Sequence, residues 1–202
     1  MNRNQLRKLE TLDKLFAAAE ETFVRDGYEG AQLDRIAAAA GRTKGALYSH
    51  FQSKEDLFLT LFRRRTEDYI GRFKQRIEDC ADRRERMDAF RKFYVECVKD
   101  TEWSILTLEF RLFALRHPGS EQKLQRVLEQ TLPFNDERLF VRVFGELMPS
   151  QRRDFELALV ALGPILSGLV LEAHFEPLKL SASNIRRVLE KMFDMLFAQG
   201  EQ

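Results

Sequence analysis

The sequence predicts an all-α protein, and three observations carry that prediction. Apolar residues recur at threes and fours along nearly the whole chain, glycines and prolines punctuate those runs, and no stretch alternates apolar and polar residues as a half-buried strand would. Roughly nine helices are expected. They fall into a small three-helix group over residues 1–54 and a larger helical bundle over residues 55–202.

Leu6, Leu9, Leu12, Leu15, Phe16, Ala19 and Phe23 share one face of a first helix, and Gly27 supplies its stop. Leu33, Ile36, Ala37 and Ala40 continue the pattern in a short second helix ending at Gly41. The segment GRTKGALYSHFQSKEDLF, residues 41–58, predicts a third short helix from about Thr43 to His50, with Leu47 and Phe51 turned inward. Ser53, three residues before Asp56, predicts a capping box that opens a long fourth helix striped by Leu57, Leu61, Ile70, Phe73 and Ile77. Farther on, Met87, Phe90, Tyr94, Cys97 and Val98 make one helical face. Trp103, Leu106, Phe110 and Phe113 make another, ended by His117-Pro118-Gly119. Leu124, Val127 and Leu128 read as helical from Ser120 onward, with Pro133 as a break or kink. Pro149-Ser150 starts an apolar helix running towards Pro177, and Ser183 is expected to cap the last helix. No Gly/Ser-rich linker separates the two groups, so a stiff junction through the fourth helix is expected.

Composition narrows the function. The chain of 202 residues is 44 % hydrophobic and 32 % charged, which suits a globular protein with a substantial core. A net charge of +1 announces no general cationic field, so any nucleic-acid surface must be local. Cys80 and Cys97 fit no metal spacing and no disulfide framework, and a cytoplasmic location is expected. The most apolar run, residues 157–171, is shorter than the ~20 residues of a membrane span and reads as a buried helix, so no membrane partner is expected. Three histidines scattered along the chain supply no catalytic or metal-binding constellation, so the expectation is no enzyme, no cofactor and no metal.

Two short helices joined by a glycine-containing turn match the helix-turn-helix pattern, whose second helix enters the DNA major groove. With Leu47 and Phe51 inward, Lys44, Gly45 and Tyr48 share the opposite side. Thr43 can cap the helix and bond a phosphate. Lys44 can donate to guanine O6 or N7 or neutralise a phosphate. Gly45 leaves clearance for a base edge, and Tyr48, His50 and Lys54 can reach the sugar-phosphate backbone. On the residues alone, an ordinary solvated helix face stays open as the alternative.

Taken together, GYEGAQLDRIAAAAGRTKGALYSHFQSKEDLF resembles the DNA-binding region of TetR/AcrR-family transcriptional regulators. Gly27-Tyr28, Ile36-Ala37, Gly41, TKGALYSHF and SKEDL stand in that family's order and spacing, over about residues 8–60. The resemblance implies that Lys44 and Gly45 meet bases and that Thr43, Tyr48, Ser49, His50 and Lys54 touch or flank phosphates. The chain departs from the family's pattern at three places. Gln32 stands where Ser or Thr often caps the second helix, Asp34-Arg35 reverses a basic-then-acidic order, and Arg42 replaces an often apolar residue and adds an expected DNA contact.

The resemblance also implies a homodimer on a pseudo-palindromic double-stranded operator, repression, and release by a small-molecule effector. Gly163, Ser167 and Val170, with Leu189, Met192, Phe193 and Leu196, are the expected partner face, burial within one subunit being the alternative. Phe90, Tyr94, Cys97, Trp103, Phe110 and Phe113 are the expected lining for an apolar or amphipathic effector, plain core being the alternative. Competing classes are a helical interaction protein and a regulator without a small-molecule ligand.

Overall fold

The computed structural model describes residues 2–97, 100–131 and 135–197. Among these residues the fold is all-α, with ten helices and no strand. They are α1 (Arg3–Gly30), α2 (Leu33–Ala39), α3 (Lys44–Tyr48), α4 (Lys54–Glu78), α5 (Arg83–Cys97), α6 (Thr101–Arg116), α7 (Pro118–Thr131), α8 (Glu137–Phe144), α9 (Pro149–Phe175) and α10 (Ala182–Phe197). Val98 and Pro133, expected in a helical face and at a break, lie outside the described residues.

The helix beyond the expected count is α8, eight residues long. The Asp136 side chain accepts from the N–H groups of Arg138 and Leu139, and Gly145 closes the helix at φ 77. Leu139, Phe140, Val143 and Phe144 are all buried. The last helix is also capped differently than expected. Ser181, not Ser183, stands before it: its Oγ accepts weakly from the Asn184 N–H at 3.4 Å and its carbonyl from the Ile185 N–H at 2.9 Å.

Packing divides the chain into one unit of Met1–Thr66 with Leu106–Leu128, and another of Glu67–Ile105 with Glu129–Gln202. The expected division at residues 54 and 55 placed α4 beyond its first residue, with all of α6 and α7, in the bundle. Aromatic packing explains why part of α6 joins the first unit. Tyr28 is 2 % exposed, and the rings of Phe58, Phe110 and Phe113 stand 5.2, 4.7 and 4.7 Å from its own. Just before it α1 kinks at Gly27, with φ 72 and ψ 169. A Cβ there would lie 3.0 Å from Glu109 Oε2, the oxygen that accepts from the Tyr28 N–H at 2.9 Å. The backbone angle therefore favours glycine, and the carboxylate beside it would have to give way to any side chain.

The second unit has an aromatic core of Phe73, Phe90, Phe140, Phe144, Phe155, Phe193 and Phe197. A smaller cluster joins Leu166 of α9 to Ile185 and Leu189 of α10.

Candidate nucleic-acid interface and ligand cavity

The chain leaves α2 through Gly41 at φ 64. The amides of Gly41 and Arg42 donate back to the carbonyls of Ala38 and Ala37 at 2.9 and 2.8 Å, a left-handed helix stop that turns the backbone into α3. Thr43 Oγ1 then caps α3 by accepting from the Ala46 N–H at 3.2 Å. Leu47 and Phe51 are 0 % and 3 % exposed, Phe51 standing edge-on to Phe16 of α1 at 5.5 Å. That burial leaves Thr43, Lys44, Gly45, Tyr48 and Ser49 exposed and His50 half-buried.

Gly45 is helical, and the nearest atom to a Cβ placed on it would be Thr43 Oγ1 at 3.9 Å. Nothing inside the chain demands glycine there. Lys44 Nζ lies 2.9 and 3.0 Å from the two carboxylate oxygens of Asp34 on α2. The hydrogen bond to Asp34, with its charge, raises the Lys44 pKa and keeps the ammonium protonated. Ser49 Oγ donates to the Ala46 carbonyl at 2.7 Å.

Two residues expected at phosphates are engaged within the chain. Arg42 Nη2 donates to Thr11 Oγ1 of α1 at 3.1 Å. Lys54 Nζ donates to the carbonyls of Glu29 and Ala31 at 2.9 and 3.2 Å, and stands 5.0 Å from the Tyr28 ring centroid. Burial lowers its pKa. A cation at the start of α4 opposes that helix's dipole, but this one serves the end of α1, where a positive charge is favourable. Carboxylates do occupy the first turn of α4. Ser53 Oγ accepts from the Asp56 N–H at 3.0 Å, and Asp56 accepts from the Gln52 N–H at 2.9 Å.

The aromatic residues expected to line one effector site are divided between the two units. Phe90 is enclosed by Phe144, Phe193 and Phe197 at 5.5, 5.0 and 5.7 Å, with Tyr94 edge-on at 4.8 Å. Trp103 is buried in the same unit. Phe110 and Phe113 belong to the first unit, around Tyr28. Cys97 closes α5, and its side chain lies outside the described ones. The second unit instead holds a cavity of about 470 Å³, lined by Val95, Thr101, Val170, Ala173, His174, Pro177, Leu180, Ala182, Ile185, Arg186 and Leu189. Its walls are mainly aliphatic, with Arg186, His174 and Thr101 as the polar groups.

Most of the expected partner face is turned into its own chain. Ser167, Val170, Leu189 and Phe193 are buried within their own chain, while Gly163, Met192 and Leu196 are half-buried. The outward side of α9 is the row Leu157, Val160, Pro164, Gly168, Leu171 and Phe175, all exposed and spaced by threes and fours. Leu157 and Phe175 are 69 % and 72 % exposed. On α10, Val188 and Met195 face outward. Helix α9 is also long and apolar enough to cross a membrane by length and composition, with a mean hydropathy of 1.8 over its best window, 28 % of which is buried.

Residues 15–61 match the family model described as bacterial regulatory proteins, tetR family. The chain carries a TetR-family domain. This domain runs from the inward face of α1 to the first turns of α4 and contains every residue of the exposed α3 face. Over 86 residues the chain is 37 % identical to the HTH-type transcriptional activator FasR of Mycolicibacterium smegmatis, covering 43 % of this chain and 39 % of that one. Over 125 residues it is 29 % identical to the fatty acid metabolism regulator protein of Bacillus subtilis, covering 61 % and 63 %. These matches span less than two thirds of either relative. The fold likeness extends beyond the TetR-family domain. The fatty acid degradation regulator FadR from Bacillus halodurans superposes with a TM-score of 0.69 at 22 % identity, covering 95 % of this chain and 97 % of that one. The FadR of Bacillus subtilis, in complex with stearoyl-CoA, superposes with a TM-score of 0.67 at 22 % identity, covering 92 % and 97 %.

Proposed function

We propose that the chain is a cytoplasmic, homodimeric transcriptional regulator that represses by occupying a pseudo-palindromic operator and is released by an amphipathic small molecule. The observation that carries this reading is the α3 face. Lys44, Gly45 and Tyr48 are exposed over a buried Leu47–Phe51 anchor, and Gly45 has no packing reason to be glycine. Residues 1–54 act as the DNA-reading head and 55–202 as the sensing and dimerising part. Lys44 and Gly45 meet base edges, and Thr43, Tyr48, Ser49 and His50 hold the backbone. Arg42 and Lys54 act from behind, by fixing α3 and α4 to α1.

A single reader of this size covers too few base pairs to specify a site, so two copies are needed. The outward row of α9, with Val188 and Met195 of α10, is the surface proposed for the partner copy. The effector enters the 470 Å³ cavity with its apolar part, leaving an anionic group for Arg186. Since the relative of known complex is bound to stearoyl-CoA, a long-chain acyl thioester is the first effector to try. It releases DNA only if it binds the operator-incompetent state better than the competent one.

Footprinting of the purified protein on the DNA upstream of its own gene tests the reading. A protected pseudo-palindrome, with half-sites about one helical turn apart, is expected. Protein that protects no sequence there, and binds random duplex without the steep salt dependence of phosphate contacts, would instead favour a helical interaction protein.

A further inference from the structure

The Asp34–Lys44 pair places a full negative charge beside the lysine expected at the bases. Both side chains are open to solvent, 62 % and 58 % exposed, and the ammonium sits almost equally far from both carboxylate oxygens, at 2.9 and 3.0 Å. An exposed ion pair of this kind contributes little to the fold. Its consequence therefore lies in what the pair meets outside the chain.

A carboxylate brought to DNA is repelled by phosphates, and it accepts hydrogen bonds without donating any. In the major groove the donors offered to it are the amino groups of cytosine and adenine. The ammonium needs acceptors, and guanine presents O6 and N7. In a G·C pair, guanine O6 and cytosine N4 are themselves hydrogen-bonded, so they lie about 2.9 Å apart. That is the spacing of Lys44 Nζ from Asp34. Donor and acceptor on the protein thus match acceptor and donor on one base-pair edge, in order and in distance.

We infer that Asp34 and Lys44 act as one base-reading pair for a G·C step, Lys44 donating to guanine and Asp34 accepting from cytosine N4. The inference rests on the DNA-binding reading above. It assigns Asp34 two opposed effects. The carboxylate weakens binding to DNA in general, and it strengthens discrimination at one base pair. Changing it to alanine, which carries neither charge nor acceptor, therefore separates affinity from selectivity.

The test is selection of bound sequences from random duplexes by the full-length wild type, Asp34→Ala, Lys44→Met and the double variant. Affinities for the selected site and its single-base-pair variants are then measured over a salt series. In Asp34→Ala, which loses both the charge and the acceptor, discrimination at one G·C position should fall by roughly 5- to 150-fold. Its affinity for random duplex should rise a few-fold, with a salt slope steeper by up to roughly 0.9. Lys44→Met should lose the preference at the same position, and the two changes should be non-additive there. Melting temperature should be unchanged, because both groups are exposed.

If Asp34→Ala tightens binding to all sequences alike and keeps every base preference, the pair is only an electrostatic brake and the inference fails. Additive losses at different positions would also overturn it. A wild type that selects no sequence would remove the DNA-binding reading itself, a result distinguishable from either.

Discussion

The ammonium of Lys54 bonds the carbonyls of Glu29 and Ala31, groups left over where α1 ends. Replacing it with alanine removes two charge-assisted hydrogen bonds and the contact with the Tyr28 ring. Lys54→Ala should therefore cost about 1–3 kcal/mol of stability, read as a lower midpoint in urea. Unchanged stability with a flattened salt slope would return Lys54 to the role of a phosphate contact. Gly45 behaves in the opposite way. Alanine fits at 3.9 Å from Thr43 Oγ1 and should stabilise α3 by up to about 1 kcal/mol. The same change should weaken operator binding in a mobility-shift titration. Gly45→Ala that binds normally would show that no base edge approaches there. Both residues were picked out from the sequence, but only the three-dimensional contacts separate the one that serves the fold from the one left free.

At the scale of elements, α9 carries two apolar faces. Phe155, Ala158, Leu162 and Leu166 point into the chain, while Leu157, Val160, Leu171 and Phe175 point out. The sequence shows that apolar residues encircle this helix, which implies cover on both sides. It does not show which side its own chain covers, and Ser167 and Val170, expected at a partner, are buried within their own chain. A two-fold contact counts each residue twice. Leu171→Glu should therefore convert the proposed dimer to a monomer in sedimentation, while leaving the helical signal intact. A wild type that is monomeric and partitions onto lipid vesicles would assign the outward face to a membrane instead. Helix α8 was legible in principle, since Asp136 and Gly145 bracket ERLFVRVF. Its brevity hid it, because eight residues hold barely two turns of periodicity.

For the whole molecule, the sensing reading rests on the cavity beside α9 and α10. Each methylene of an acyl chain entering it should raise affinity by roughly fourfold until the cavity is full, from about 0.8 kcal/mol of burial. Long-chain acyl-CoA at a hundred times its Kd should stabilise the protein by about 2.7 kcal/mol and release operator DNA. Ala173→Trp, which fills the cavity, should abolish both effects. Stabilisation without release would mean that the ligand binds both states equally.

The all-α class, the helix-turn-helix with its Gly41 stop and Thr43 cap, and the resemblance over about residues 8–60 were legible in the sequence, because each is local. Periodicity, caps and a glycine at positive φ are decided within a few residues, and the reading face follows from which neighbours turn inward. Only the tertiary structure decided that Phe110 and Phe113 enclose Tyr28 while Phe90 joins another core, that Lys54 clamps α1, and that Asp34 holds Lys44. In a sequence an aromatic stripe looks the same whether side chains or a ligand will cover it. What covers it depends on contacts between residues far apart along the chain, such as Tyr28 and Phe110, which no local pattern encodes.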